Sequence, residues 1–303
     1  MFVPTRRQFL KAGGASVACG SALFAPLRLL ASPFGLPLGL QLYSVRDLLP
    51  KDYLGTLKKL AALGYREVEA AGFYNHTAAE VKQAMKEAGL NCVSAHYSSD
   101  TLHADLDKII EFHKVLGAEY IVCSYPGYKD KTPKTPPAAG HERSFTMEDW
   151  QWNAEQFNTM GAKVKAAGFN FGYHNHFLEF RAEDGKVPLD EIIRLTDPGL
   201  VTFELDCGWV TVGGADPADY LKKYPTRISM LHVKDFKKMN GPMSPENRPE
   251  AADLGHGTSD YKTIFAAASK GEIKHYFVEQ ESFDKPPFEA LKIDADYMKN
   301  LTV

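Results

Sequence analysis

The chain has 303 residues, of which 44% are hydrophobic and 24% charged, and its formal net charge is −3. This weakly acidic balance, without a basic block, argues against a nucleic-acid partner. The length that remains after the N-terminal segment described next is that of a single α/β domain of barrel size.

The N-terminus carries an export signal pattern. Thr5-Arg6-Arg7-Gln8-Phe9-Leu10-Lys11 is a twin-arginine core, and residues 12–30 form an apolar stretch that only Arg28 interrupts. A basic amphipathic helix would need a polar face, which residues 12–26 almost lack. We therefore predict that residues 1–31 are a cleavable twin-arginine signal, with cleavage near Ala31. The expected partner is the twin-arginine export machinery, the expected location is the periplasm or the exterior, and no stable membrane span remains after cleavage.

Short apolar segments rich in β-branched and aromatic residues recur along the mature chain, as is typical of buried parallel strands. In chain order they span residues 38–43, 66–70, 92–96, 120–124, 171–176, 202–206, 229–233 and 276–280. Helical patterns lie between them, for example at residues 53–62, 77–88, 105–116, 150–167 and 217–223.

The alternation of strands and helices predicts the fold class. Four helical patterns run into a glycine shortly before the next strand, where a left-handed cap would end the helix: Gly64, Gly89, Gly117 and Gly168. Eight alternating β and α units indicate an α/β protein with a single-domain (β/α)8 TIM barrel over residues 35–303. The alternative, an open doubly wound sheet, is disfavoured because no glycine-rich phosphate loop follows the first strand.

Two connections, residues 126–147 and 236–259, are longer than usual for this class. Both follow strands, so both are expected on the catalytic face, where they could form walls or lids. A solvated insertion is the alternative for the first loop, which is rich in lysine and proline.

Three successive strands in the C-terminal half end on a residue that can bind a metal. The apolar runs of residues 201–206, 228–232 and 275–279 end on Asp206, His232 and Glu279, respectively. Carboxyl ends of barrel strands form the active-site face, so these oxygen and nitrogen donors would give a ligand set suited to a divalent cation. A capping or ion-paired role explains any one of them alone, but three in the same structural position favour a site.

Four motifs resemble the xylose-isomerase-like barrels, the superfamily of sugar phosphate isomerases/epimerases that includes inosose dehydratases and ketose 3-epimerases. They are Phe203-Glu204-Leu205-Asp206, Leu231-His232-Val233-Lys234-Asp235, Leu254-Gly255-His256-Gly257-Thr258-Ser259-Asp260 and Phe277-Val278-Glu279-Gln280-Glu281. The resemblance covers essentially the whole mature chain, from Gly39. It implies one divalent ion (Mn, Co, Mg or Zn) held by Glu, Asp, His and Glu from strands five to eight, of which Asp206, His232 and Glu279 match the last three.

The fifth strand departs from the family pattern. Where many relatives have Glu-Asn-His, this chain has Tyr173-His174-Asn175-His176, with Glu179 following in the loop. His174 falls in register with the family's first glutamate and is the expected fourth ligand, which leaves Glu179 as the base. Alternatively Glu179 reaches back as a ligand and His174 or His176 is the base.

The departure bears on mechanism. Ketose epimerases of the family are thought to use two metal-bound glutamates on opposite faces of the substrate, and one of that pair is missing here unless Glu179 replaces it. A simple two-glutamate epimerisation is therefore in doubt, and proton abstraction followed by elimination gains weight. In either reaction the metal would polarise the carbonyl and hold the enediolate oxygens.

Other residues are expected to take supporting roles around the same mouth. Lys234 could act as an electrophile or acid, although a structural ion pair with Asp235 or Glu204 is an equal alternative. Gln41 and His96 would donate hydrogen bonds to substrate hydroxyls. Aromatic walls for a sugar, or alternatively core packing, are expected of Tyr43, Tyr125 and Trp209.

The sequence thus predicts an exported, metal-dependent sugar or keto-sugar isomerase/epimerase that abstracts a proton next to a carbonyl. A lyase or dehydratase acting on a 3-keto-sugar, keto-glycoside or inosose is the enzymatic alternative. A sugar-binding barrel without chemistry is the alternative from another class. Export makes a phosphorylated substrate implausible.

Overall fold

The computed structural model describes residues 33–130, 144–241, 243–244 and 247–302. The predicted signal, residues 1–31, lies outside the described residues, as does most of the first long loop. Among the helices of the described ranges, none is both long and apolar enough to cross a membrane.

The described residues form a closed barrel of eight parallel strands, which confirms the predicted fold class. The barrel strands are β1 (Gly39–Gln41), β2 (Glu67–Ala70), β3 (Asn91–Ser98), β4 (Tyr120–Tyr125), β5 (Asn170–His174), β6 (Val201–Asp206), β7 (Ile228–Val233) and β10 (His275–Val278). They follow one another around the barrel in this order, and β10 closes the ring against β1.

Helices surround the barrel and cover its apolar outer face. They are α1 (Tyr53–Leu63), α2 (Ala78–Ala88), α3 (Ser99–Leu116), α4 (Met147–Ala166), α5 (Pro188–Leu195), α6 (Cys207–Val212), α7 (Pro217–Lys223), α8 (Tyr261–Ala268) and α9 (Pro287–Asn300). Gly64 and Gly117 end α1 and α3 with φ of 107° and 89°, the left-handed conformation expected from the sequence.

Element boundaries differ from the sequence predictions where side chains cap a helix or a strand turns early. Helix α3 begins at Ser99 rather than at residue 105, because the Ser98 side chain caps it and a kink at Asp105 (φ −133°) breaks the regular pattern. The fifth strand ends at His174 rather than at residue 176, so His176 stands in the turn after the strand.

The barrel interior is layered along its axis. Near the amino ends of the strands, Glu67 accepts a hydrogen bond from His275 (2.8 Å) and Thr202 donates one to Ser229 (2.7 Å). Above them an apolar layer is buried, formed by Val93, Tyr120, Val122, Met230 and Phe277. Because alternate side chains of each strand point inward, the next inward positions toward the carboxyl ends are polar. The charged groups there lie directly above the packed apolar layer.

The second long connection is fastened at its base. Strands β8 (Asp235–Phe236) and β9 (Ala251–Ala252) form a short antiparallel pair. The Asp235 carboxylate accepts hydrogen bonds at 2.9–3.2 Å from the backbone amides of Gly255, Gly257, Thr258 and Ser259. The family-like motifs around Lys234-Asp235 and Gly255–Asp260 are therefore joined to each other. We call this set of hydrogen bonds between Asp235 and residues 255–259 the clasp.

Candidate active site

The predicted metal ligands Asp206, His232 and Glu279 lie together at the carboxyl end of the barrel. Each offers one donor atom, and these three atoms lie within 4.8 Å of one another. His232 Nδ1 is 2.9 Å from Glu279 Oε2 and 3.7 Å from Asp206 Oδ2. All three residues are at least nine-tenths buried, so an ion here would be well shielded from water.

Asp206 is oriented by its neighbours. Its Oδ1 accepts a hydrogen bond from the Trp209 amide (2.8 Å) and caps helix α6, and its backbone amide donates to Asn175 Oδ1 (3.0 Å). Its other oxygen, Oδ2, lies 2.9 Å from the Lys234 ammonium and 3.7 Å from His232 Nδ1. This oxygen therefore faces the centre of the site.

His174, the predicted fourth ligand, faces the same centre. Its Nε2 lies 3.8 Å from Asp206 Oδ2, and its Nδ1 lies 3.1 Å from Glu204 Oε2. Donor atoms around one tetrahedral ion at about 2.1 Å are separated by roughly 3.4 Å. The separations of 3.7 and 3.8 Å about Asp206 Oδ2 are of that size. His232 Nδ1 and Glu279 Oε2 are closer, at 2.9 Å, and form a direct hydrogen bond. The carboxylate and imidazole donors are the kinds of ligand that suit a divalent cation.

A second group of polar residues lies one layer deeper. His96 Nε2 is 2.7 Å from both Glu69 Oε1 and Glu204 Oε2, and His232 Nε2 is 2.7 Å from Glu69 Oε1. Glu69 is also held by the Gln41 amide (2.7 Å) and by a short hydrogen bond from Ser94. These contacts are direct hydrogen bonds. His96, His174, Glu204 and His232 also offer donor atoms within 4.8 Å of one another, as Asp206, His232 and Glu279 do.

The Lys234 ammonium joins three carboxylates. Its Nζ lies 2.9 Å from Asp206, 2.6 Å from Glu279 and 2.7 Å from Glu281. Lys234 is 2% exposed, and the attraction of these carboxylates outweighs its burial, so its pKa lies well above the ordinary value. The ammonium therefore stays charged and partly neutralises a strongly acidic site.

The imidazoles differ in protonation because their surroundings differ. Burial lowers the pKa of His174 well below its ordinary value, and the neighbouring His232 and His96 add to the effect. Burial and then Lys234 lower the pKa of His176 to about 3. For His96 burial is outweighed by Glu69 and Glu204, which raise its pKa to about 9. His174 and His176 are thus neutral at pH 7 and can offer a lone pair.

A cavity of about 340 Å³ opens above these groups, a size typical of small-molecule sites. Its lining consists of Tyr43, Ala71, His96, Tyr97, Ser98, Ser124, Tyr125, His174, His176, Lys234, Glu279 and Glu281. Tyr43 and Tyr125, the aromatic walls that the sequence predicts, are among these residues and are 41% and 37% exposed.

The predicted ligands Asp206 and His232 lie beneath this cavity and do not line it, and neither do three further residues to which the sequence gave site roles. Glu179 is buried behind the mouth and accepts a hydrogen bond from the Tyr173 hydroxyl (2.6 Å). Gln41 is fully buried and donates to Glu69, so it supports another side chain. The Trp209 ring lies 5.3 Å from Lys234 Nζ and 5.1 Å from the Phe236 ring.

The sequence reasoning did not assign roles to Glu69, Glu204 and Glu281. Glu204 shares strand parity with Asp206, and Glu69 lies in the predicted second strand, so a parity count would have placed both inward. Glu281 follows Glu279 at the same spacing. Strand parity and spacing were therefore visible in the sequence. They do not indicate which side chain on another strand a carboxylate will contact.

Comparison with known proteins identifies the family. The family model described as a xylose isomerase-like TIM barrel matches residues 57–301, and the chain belongs to this family. An inosose dehydratase of Bacillus cereus is 25% identical over 259 residues, which cover 78% of this chain and 85% of that protein. Among solved structures, a sugar phosphate isomerase/epimerase of Parabacteroides distasonis superposes with a TM-score of 0.68. Its sequence is 27% identical, and the match covers 86% of this chain and 96% of that one.

Two more distant solved structures share the fold and contain a metal. The IOLI protein with a zinc atom has a TM-score of 0.64 at 13% identity, covering 86% of this chain and 96% of that one. A Mycobacterium smegmatis barrel in complex with magnesium has a TM-score of 0.65 at 14% identity, covering 89% and 97%.

Proposed function

We propose that this protein is a metal-dependent lyase that removes water or another leaving group from a keto-sugar or inosose-like cyclitol. The reaction begins with abstraction of a proton next to the carbonyl. The similarity to an inosose dehydratase supports the reaction class, and the cation-compatible set of His174, Asp206, His232 and Glu279 supports the metal. The identity of the metal is left open among Mn, Co, Mg and Zn.

The observation that carries the proposal is the unequal chemistry of the two sides of the cavity. Glu279, Glu281 and Lys234 follow β10 and β7, whereas His96 and His176 come from β3 and the turn after β5. Epimerisation by a matched pair of carboxylates requires similar groups on both faces. A neutral imidazole facing an ammonium instead suits elimination, in which base and acid do different work.

Each residue then has a defined role. His176 lines the cavity and is neutral at pH 7, so it is the candidate base. Lys234 is the candidate acid or electrophile at the leaving group. A cation held by the four ligands would polarise the carbonyl and stabilise the negative charge of the enediolate.

The cavity supports an unphosphorylated substrate. Among the residues that the structure describes, its lining contains one lysine and no arginine, and that lysine is already paired with three carboxylates. Proteins usually bind phosphate groups through unpaired arginine or lysine side chains or through helix N-termini. A free keto-sugar, keto-glycoside or inosose fits better, and this agrees with the proposed export to the periplasm through the twin-arginine pathway.

The isomerase/epimerase reading shares the first chemical step and is the second candidate. The 27% identity to a protein named sugar phosphate isomerase/epimerase favours it. The two candidates differ only in the fate of the enediolate, which is either reprotonated or loses a leaving group.

One experiment separates these candidates and a non-catalytic barrel. The purified protein is loaded with zinc, manganese, cobalt or magnesium and incubated in deuterated water with inosose and with 3-keto-sugars, both free and as glycosides. Mass spectrometry then follows loss of the leaving group and deuterium uptake. Elimination with one or more of these substrates is expected, and His176→Asn should abolish it while keeping the metal. His275→Gln, at the opposite end of the barrel, is the matched control.

Deuterium uptake without elimination would favour the isomerase. A protein that binds metal and substrate but exchanges no proton would refute both enzymatic readings.

A further inference from the structure

The deep layer beneath the cavity contacts the two candidate histidine ligands on their far sides. Glu204 Oε2 lies 3.1 Å from His174 Nδ1, and Glu69 Oε1 lies 2.7 Å from His232 Nε2. The other nitrogen of each ring points toward the candidate ligands: His174 Nε2 lies 3.8 Å from Asp206 Oδ2, and His232 Nδ1 lies 2.9 Å from Glu279 Oε2 and 3.7 Å from Asp206 Oδ2. Each imidazole is therefore placed between a deep carboxylate and the proposed cation position.

We infer that Glu204 and Glu69 are positioning residues that fix the tautomers of His174 and His232 for metal binding. This inference rests on the metal site of the proposed function. A carboxylate that accepts the N–H of an imidazole leaves the lone pair on the other nitrogen and makes that nitrogen a stronger donor. Glu204 thus directs Nε2 of His174, and Glu69 directs Nδ1 of His232, toward the ion.

The deep carboxylates are themselves held in place. His96 Nε2 lies 2.7 Å from both of them, and the side chains of Gln41 and Ser94 donate to Glu69. Glu69 and Glu204 are both 0% exposed. Water therefore cannot take over their hydrogen bonds, and the ring orientations depend on these protein contacts.

The arrangement also accounts for the departure at the fifth strand. A histidine in place of a glutamate removes one negative charge from the ligand set. Glu204 supplies a carboxylate one layer below, in hydrogen-bond contact with that histidine. The charge is then retained in the site without being a direct ligand.

The test measures metal affinity in Glu204→Gln and Glu69→Gln. Glu67→Gln is a matched control, because Glu67 lies on the same strand as Glu69 and also accepts from a histidine, His275 (2.8 Å), but at the opposite end of the barrel. Zinc affinity is obtained by competition with a chromophoric chelator, and cobalt(II) spectra report the ligand set. Circular dichroism and thermal unfolding check the fold of each variant.

The expected result is zinc binding about 10- to 100-fold weaker in Glu204→Gln and in Glu69→Gln, with cobalt spectra like that of the wild type and an unchanged Glu67→Gln. Unchanged affinity in both variants would overturn the inference while leaving the proposed metal site intact. A cobalt spectrum altered by Glu204→Gln would also overturn it, because Glu204 would then be a ligand. A wild-type protein that binds no divalent ion would refute the proposed function itself.

A measurement on the unmodified protein keeps the inference testable if a variant fails to fold. Nitrogen-15 NMR of the zinc-loaded protein distinguishes metal-bound from protonated ring nitrogens. We expect metal on Nε2 and a proton on Nδ1 of His174, and the reverse for His232. The opposite assignment at either ring would contradict the positioning role.

Discussion

Glu179 links the stability of the barrel to pH in a way that one substitution can reveal. The side chain is 1% exposed, and burial raises its pKa from 4.5 to about 7, although hydrogen bonds from Tyr173 and the backbone partly oppose this. A shift of about 2.5 units corresponds to roughly 3 kcal/mol at about 1.4 kcal/mol per unit. Since the folded state holds the proton more tightly, this contribution is complete below about pH 4.5 and is lost as the pH rises through 7.

Replacement of Glu179 by glutamine removes the titrating group and keeps the acceptor for the Tyr173 hydroxyl. The metal-free variant should therefore be more stable than the wild type at pH 8, by up to about 3 kcal/mol. The two proteins should approach each other near pH 4.5. Urea unfolding at pH 4.5, 6, 7 and 8 measures the difference, and a difference independent of pH would refute the reasoning.

The same variant tests the role that the sequence gave to Glu179. Because the side chain lies behind the cavity lining, we expect Glu179→Gln to keep its metal and most of its proton exchange. Loss of exchange with metal retained would instead support the sequence-based prediction that Glu179 is the base. Tyr173→Phe is a companion variant: it removes the hydrogen bond that lowers the pKa of Glu179, so its stability should continue to fall to a higher pH than that of the wild type.

Further predictions concern charge, packing and export. Lys234→Met should lower the stability of the metal-free protein by about 3–5 kcal/mol, because buried carboxylates lose their cation; calorimetry measures this loss. The same variant should bind zinc more tightly, because a competing charge is removed, and chelator competition measures the affinity. Asp294→Asn should stabilise the protein at pH 8 but not at pH 4 in urea unfolding, by at most about 4 kcal/mol, because burial raises the pKa of Asp294 to about 7. In Gly257→Ala the new Cβ would collide with Asp235 Oδ1, so its melting temperature should fall. Replacing Arg6-Arg7 with Lys-Lys should stop export, which cell fractionation measures; normal secretion of this variant would exclude the twin-arginine pathway.

The sequence was sufficient for the fold and for three residues at the carboxyl end of the barrel, because both follow from local patterns. Alternating apolar segments predicted the barrel, and strand ends pointed to Asp206, His232 and Glu279. The deep layer was not predicted, because it depends on which strands become neighbours across the barrel. Glu69 and His232 are 163 residues apart in the chain, and only closure of the barrel brings them together.

The role of Gln41 could not be read from the sequence for a related reason. The sequence placed Gln41 at the barrel mouth as a donor to substrate hydroxyls, but it did not indicate how deep the side chain lies. Glu69 pairs with Gln41 across neighbouring strands and accepts a hydrogen bond from its side-chain amide. The competition between a substrate and a neighbouring side chain for one donor is decided only by three-dimensional packing.

The clasp formed by Asp235 has a consequence for how this protein could diversify. Residues 237 and 250 are joined by a backbone hydrogen bond of 2.8 Å, so the segment between them leaves and rejoins the barrel at nearly the same point. Loop closure entropy grows only slowly with length, and the anchoring amides belong to residues 255–259, outside that segment. Insertions or grafts within residues 238–249 should therefore leave the clasp and Lys234 in place. The segment is a natural position for adding sequence to this barrel.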